Sequence, residues 1–297
     1  MTVPNQISLD DLLELLDLEE LPSRSARHRV FCGRPQTEPA DRVFGGLLLG
    51  QAVVAAGRTV PGEHHPVSLQ AEFLQGVPTT APLRWEVDPL GQTRSMSVRR
   101  ATLRADSGDE LFTAITRWGL ERADLASIED TVPRPVPEPE SLPDLEDRFA
   151  GDARVPAWWR MRRPVQFRHT EDPPYTEPAD RPGNTQSVWV RSRGPLPPEP
   201  ALRAAVLAYV TDMSILESAF RAGGSMRHGP SSRLLSLSHT LAFHAGADLS
   251  TWHQFDASCR TVAHGRAVGV GEIFDGTGRH VASATQLGLV KFSPAPS

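Results

Sequence analysis

Two polar side chains interrupt otherwise apolar patterns. Asp212 lies within AYVTDMSILESAF (208–220) and Gln286 within HVASATQLGLVKF (280–292). If the first run is helical, the neighbours of Asp212 stand three and four residues away: Ala208, Tyr209, Ile215 and Leu216. A polar stripe through Ser214, Glu217, Ser218 and Arg221 runs elsewhere, so Asp212 falls in the stripe that faces the core. An unpaired carboxylate there costs several kcal/mol. Two readings follow: a structural aspartate satisfied by backbone amides or a tyrosine hydroxyl, or a general base or water-positioning group in a pocket. Gln286 poses the same choice on a strand. By period-two counting its face carries Ala282, Ala284, Gly288 and Val290. Such small residues would let a helix approach, with Gln286 as the one polar group aimed at it; taken alone, it also reads as a glutamine satisfying a backbone group.

The elements that must position these residues are legible as periodicities and breaks. Residues 8–20 (SLDDLLELLDLEE) predict an amphipathic helix capped by Ser8 or Asp10 and ended by Pro22. GGLLLGQAVVAAGRTV predicts a helix opened by glycines. VSLQAEFLQGV, PLRWEVDPLG, SMSVRRATLRA and ELFTAITRWG read as strands, with a hairpin turn at 105–109. TVPRPVPEPESLP reads as an extended connector, WWRMRRPVQFRH as the start of a new sheet, and PPYTEPADRPGNT as a loop. VWVRSR is a strand and PALRAAVLAYVTDMSILESAF one long helix; LLSLSHTLAFHAG, TWHQFDASCRTV, HGRAVGVGEIFD and HVASATQLGLVKF are further strands. The two halves thus repeat one order, helix then antiparallel strands. VSLQAEFLQG parallels LSLSHTLAFHAG, Gly108 meets Gly278, Thr116 meets Gln286, and Gln51 falls roughly where Asp212 falls. The expected architecture is α+β: a duplicated unit, each a long helix wrapped by a curved antiparallel sheet.

Composition excludes several classes. The 297 residues carry a formal net charge of −5, and Lys291 is the only lysine among 31 basic residues. The arginines are scattered and form no basic stripe, so no nucleic-acid partner is expected. No apolar run is long enough to span a bilayer, and MTVPNQISLDD lacks the pattern of a secretory signal. Cys32 and Cys259 are far apart with no CxxC, which predicts neither a disulfide framework nor zinc. A reduced, cytoplasmic compartment is the expectation. His64-His65 resembles a metal pair, but adjacent residues point apart and no third ligand is patterned nearby; solvated loop histidines and no metal are expected. Arg99-Arg100 alternate on a strand, so at least one faces solvent. Trp158-Trp159 is expected to anchor the connector onto the sheet.

Over nearly its full length the chain resembles the acyl-CoA thioesterase II family, whose members are double hotdog proteins. LLELLDLEEL, VFGGLLLGQAVVAA, VDPLGQTRSMSVRRA, the connector with PVQFR, AYVTDMSIL, SLSHTLAFH and VASATQLGLV carry the resemblance through their order and spacing. It implies an N-terminal hotdog over 1–120, a proline-rich connector over 121–164 and a C-terminal hotdog over 165–297 that carries the catalytic residues. It also implies an aspartate, a threonine or serine, and a glutamine that hold the attacking water: Asp212, Ser236 and Gln286. Strand alternation instead sends Ser236 outward with Ser238 and Thr240, opposite Leu235, Leu237, Leu241 and Phe243; Ser238 is the fallback hydroxyl.

The implied activity is hydrolysis of fatty acyl-CoA thioesters to free acid and coenzyme A, with no cofactor and no covalent intermediate; no Gly-x-Ser-x-Gly elbow is present. Gly45 and Gly46, which open the first long helix, are candidates for the oxyanion donors or for tight packing alone. Two other readings stand beside it. One is a non-catalytic acyl-CoA or lipid-binding double hotdog. The other is a hotdog enoyl-CoA hydratase, which wants an aspartate and a histidine about five residues apart; Glu217 stands at that place. The expected partners are the acyl-CoA substrate and further copies of the chain, with no membrane insertion.

Overall fold

The computed structural model describes residues 6–293 except Ala26, Pro39, Ala40, Ala123, Arg181 and Pro182, together with the side chain of Arg24. The start of MTVPNQISLDD and two residues of the 173–185 loop therefore lie outside the described residues. Helix α1 (Leu9–Leu16) opens on a capping box: the Ser8 hydroxyl accepts from Asp11 N–H while the Asp11 carboxylate accepts from Ser8 N–H. It stops before residue 20, because Glu19–Ser25 (β1) and His28–Gly33 (β2) form a hairpin that the sequence pattern did not announce. Helix α2 (Gly45–Gly57) is followed by β3 (His65–Phe73), β4 (Leu83–Gln92), β5 (Met96–Arg104) and β6 (Glu110–Gly119).

The connector contributes two short helices, α3 (Leu145–Phe149) and α4 (Ala157–Arg160). The second half repeats the first: β7 (Val165–His169), β8 (Thr185–Ser192), α5 (Pro200–Ser214), α6 (Glu217–Ala222), β9 (Arg233–Phe243), β10 (His253–Ala263), β11 (Arg266–Asp275) and β12 (His280–Lys291). The long helix expected over 200–220 breaks at Ile215–Leu216, and α6 has no counterpart in the first half.

The twelve strands of the described residues join one antiparallel sheet in the order β1-β2-β4-β5-β6-β3-β9-β12-β11-β10-β8-β7. The halves meet where β3 pairs with β9, Leu69 opposite Leu241. Residues 158–169 thus open an edge of this same sheet and not a separate one. α2 and α5 run antiparallel inside its curve with their backbones close. A Cβ on Gly46 would lie 2.4 Å from the Tyr209 carbonyl, and one on Gly50 3.1 Å from that of Ala205. Both helices are buried almost all round, so a hydrophobic pattern without a polar face is what the fold demands of them. The hairpin turn at 105–109 forms as expected, and Gly108 (φ +93°) and its counterpart Gly278 (φ +84°) take the left-handed conformation.

Candidate active site

Asp212 sits in the last turn of α5, half-buried between the two halves. The helix comes close to β11 and β12 because those strands carry glycines. A Cβ on Gly288 would stand 2.3 Å from Leu216 and one on Gly269 2.9 Å from the Ile215 carbonyl, as the small residues flanking Gln286 predict. Gln286, 1% exposed, points from β12 at the helix end. Its Nε2 donates to Asp212 Oδ1 (2.7 Å) and to Ser236 Oγ (2.6 Å), and the Ser236 hydroxyl donates to the same Oδ1 (2.9 Å).

Simple alternation sends Ser236 outward, yet it faces in. The β9–β12 register shifts, with Ser238 opposite Leu287 but Ser236 opposite Gly288. Leu237 is the extra residue of a β-bulge, and one extra residue inverts the faces on either side of it. Ser236 therefore shares the inner face with His239 and Leu241, whereas Ser238 belongs with Thr240.

Behind the triad lies a second layer that sequence reasoning missed. His239, 0% exposed, places Nδ1 3.0 Å from Gln286 Oε1 and Nε2 3.1 Å from Thr211 Oγ1. Thr211 Oγ1 also lies 3.0 Å from the Ala208 carbonyl. Burial lowers the basicity of the imidazole, against the pull of Asp212 and the bond to Gln286. The signal for this layer was available: His239 stands at the in-facing phase of β9 and Thr211 adjoins Asp212, but only the bulge shows which phase faces in.

The other carboxylate oxygen, Oδ2, receives no hydrogen bond among the described residues and faces the first turn of α2. A Cβ on Gly45 would lie 2.6 Å from Oδ2 and 2.9 Å from the Phe73 ring. The N-cap Phe44 supplies no side-chain acceptor, and its carbonyl accepts only from Leu47 and Leu48 N–H, so the N–H groups of Gly45 and Gly46 have no partner among the described residues, at the positive end of the helix dipole. Gly45 thus lines the site. Gly46 does not; it is needed for packing against Phe44 and the Tyr209 carbonyl.

Asp212, Ser236, Gln286 and Gly45 open onto a cleft of about 530 Å3 between the halves. Phe73, Leu48, Val77 and Met213 give it apolar walls, and Arg42, Arg227 and Arg233 line it as cations. Trp158 and Trp159 line it too, so they do more than anchor the connector. The Trp159 ring lies 4.5 Å from the Arg163 guanidinium and 4.4 Å from that of Arg227.

Other sequence expectations change. Gln51 does not correspond to Asp212. It is buried on the far side of α2, donating to the Leu15 and Arg34 carbonyls and accepting from Trp85 Nε1. The stripe of Ser214, Glu217, Ser218 and Arg221 is buried as well. Glu217 accepts from Tyr175 Oη (2.6 Å), Gln186 Nε2 (2.6 Å) and His169 Nε2 (3.0 Å). His64 is buried, with its ring nitrogens on Ser97 Oγ and the Arg94 carbonyl. The alternation expected of Arg99 and Arg100 holds: Arg99 is buried against Thr59 and Gln92, and Arg100 pairs with Asp88 at the surface. Among the described residues no helix is long and apolar enough to cross a membrane.

Comparison with known proteins agrees with this fold. Residues 34–119 match the acyl-CoA thioesterase N-terminal domain and residues 133–290 the acyl-CoA thioesterase C-terminal domain. Human acyl-coenzyme A thioesterase 8 is 25% identical over 90% of this chain and 86% of its own length. Acyl-CoA thioesterase 2 of Haemophilus influenzae is 24% identical over 96% and 98%. The solved tesB protein of Mycobacterium avium subsp. paratuberculosis superposes with a TM-score of 0.75 at 28% identity, covering 97% of this chain and all of that one. Two domain matches that together span most of the chain, on a double hotdog α+β fold, place it in the acyl-CoA thioesterase family of thioester hydrolases.

Proposed function

We propose that the cleft hydrolyses fatty acyl-CoA thioesters by direct attack of a water held on Asp212, Ser236 and Gln286. The observation that carries this reading is the asymmetry of one carboxylate. Two donors tie Oδ1, which leaves Oδ2 as the basic oxygen beside the cleft. Ser236 spends its proton on Oδ1 and accepts from Gln286, so its hydroxyl is a positioner and not a nucleophile. In the reaction Asp212 takes one proton from water as the oxygen bonds to the thioester carbon. The tetrahedral oxyanion meets the free N–H of Gly45 at the positive end of α2. The carbon–sulfur bond then breaks, and the thiolate of coenzyme A takes the proton back from Asp212. The apolar walls suit an acyl chain, and Arg42, Arg227 and Arg233 suit the phosphates of coenzyme A.

The hydratase reading lacks its acid. Glu217 is fully buried on His169 and Tyr175, and His239 lies behind Gln286 without lining the cleft. Steady release of free thiol from palmitoyl-CoA tests the proposal. Tight binding without release assigns a lipid-binding protein instead, and loss of the crotonyl-CoA double bond assigns a hydratase.

The same reading divides the chain into hotdogs at 1–120 and 165–297 joined by 121–164. It also places the enzyme in a reducing cytoplasm, for which the free Cys32 and Cys259 speak, as a homo-oligomer joined through sheet edges; light scattering tests the last point.

A further inference from the structure

The amide of Gln286 has two ends, and only one arrangement works. A carboxylate can accept but not donate, so Nε2 must be the end that faces Asp212 Oδ1 and Ser236. The carbonyl Oε1 is then driven into the interior, where the residue is 1% exposed. A buried carbonyl without a donor is costly. The donor that meets it is His239 Nδ1, at 3.0 Å. Nε2 is then an acceptor, and Thr211 closes the chain by turning its one hydroxyl proton to that nitrogen, 3.1 Å away, in place of the Ala208 carbonyl.

The first half of the molecule supplies an independent check. β3 carries the same bulge as β9: Pro66 stands opposite Trp118 and Ser68 opposite Arg117, with Val67 as the extra residue. Counting from the bulge, Leu69 occupies the place of His239 and sits opposite Thr116 as His239 sits opposite Gln286. Leu69 is fully buried. The histidine is present where the glutamine is present and absent where it is absent, so it serves the amide and not the fold of the strand.

We infer that His239 is a positioning residue for the hydrolysis proposed above: its Nδ1–H holds Gln286 Oε1 and so turns the amide nitrogen toward Asp212 and Ser236. The inference rests on that reading of the cleft. It is tested by where a donor is kept. In His239→Asn the side-chain nitrogen can take the place of Nδ1, whereas in His239→Gln it takes that of Nε2. We expect His239→Asn to keep kcat within about threefold of the wild type. His239→Gln and His239→Ala should lose about 10–100-fold in kcat with little change in KM. In a Gln286→Ala background, adding His239→Ala should cost less than about threefold. Equal kcat for the Asn and Gln variants, or the full loss repeated without Gln286, overturns the inference. Nitrogen-15 NMR of the histidines in the wild-type protein reads the same point without turnover. A proton on Nδ1 of His239 is expected, and the tautomer protonated only on Nε2 overturns it. If no thiol is released while that Nδ1 proton is found, the functional reading falls and the His239–Gln286 arrangement stands.

Discussion

The two ends of the paired central helices invite comparison, because duplication put a cavity at each. The cleft beside Asp212 has its counterpart in a cavity of about 310 Å3 near the start of α5, lined by His65, Glu121, Arg203 and Phe243. The frame is the same, down to the bulge at Val67 and Leu237. The chemistry is not. Pro66 stands for Ser236, Leu69 for His239 and Thr116 for Gln286, while Gly57 closes the corresponding end of α2. A Cβ on Gly57 would lie 2.8 Å from that of Ala201 and 2.9 Å from Trp118, so no carboxylate fits there. Trp118 itself stands where the second half has Gly288. Fold duplication alone therefore makes a cavity. In the proposed reading, reactivity depends on a few polar side chains and on glycines that let them approach.

The largest effect expected from breaking this contrast is at Asp212. Asp212→Ala should lower kcat by about 10²–10⁴-fold, while Thr116→Ala, at the register counterpart of Gln286, leaves thiol release within about twofold. Circular dichroism and Tm should show both variants folded. Full activity without Asp212 removes the distinction between the cavities.

Next come the two serines that the bulge separates. Ser236→Ala should cost about 10–100-fold in kcat through loss of one aligned hydrogen bond, and Ser238→Ala less than about twofold. Equal losses would mean that β9 presents its faces as simple alternation has it.

The glycines at the two helix ends should separate turnover from stability. Gly45→Ala puts a methyl 2.6 Å from Asp212 Oδ2 and should lower kcat/KM by about tenfold with little change in Tm. Gly57→Ala meets Ala201 and Trp118 and should cost about 1–3 kcal/mol in urea denaturation without touching kcat.

Glu217, on the helix α6 that the first half lacks among the described residues, should bear on stability and not on turnover. Burial by itself raises a carboxyl, but the bonds from His169 and Tyr175 and the nearby Arg227 hold Glu217 at about 2. Burial, with Arg227, pushes His228 down to about 3. Both folded values lie below the ordinary ones. The stability they contribute is thus full above about pH 6.5 for His228 and 4.5 for Glu217, and is lost as pH falls toward 3 and 2. Tm should fall steadily below pH 6.5. Glu217→Gln should lower Tm at pH 7 and flatten the part of that fall below about pH 4.5. An unchanged acid profile would separate this network from stability.

Much of the fold was legible. Apolar periodicity announced both central helices and most strands, and the repeated order announced the duplication. The hairpin of β1 and β2 was not legible, since EELPSRS has neither alternation nor β-branched residues. The break at Ile215–Leu216 was hidden because the run continues to favour helix on both sides. Asp212 and Gln286 stood out because each is polar where packing asks for an apolar side chain. Ser236 came from resemblance against the local pattern. His239 and Thr211 read as ordinary strand and helix residues. Gln51 shows the opposite error, a buried polar group whose obligations are met by two carbonyls and an indole.

Residue type and spacing by themselves determined the α+β duplication, the two buried helices and the two side chains that violate their surroundings. Those are local properties, set by 3.6- and 2.0-residue periods and by the cost of burying a polar group. Only the tertiary structure decided which hydroxyl joins Asp212, which cavity keeps its chemistry and which face of α6 is covered. A bulge inverts strand faces, a missing Cβ sets how near two helices come, and neither consequence can be counted along one stretch of chain.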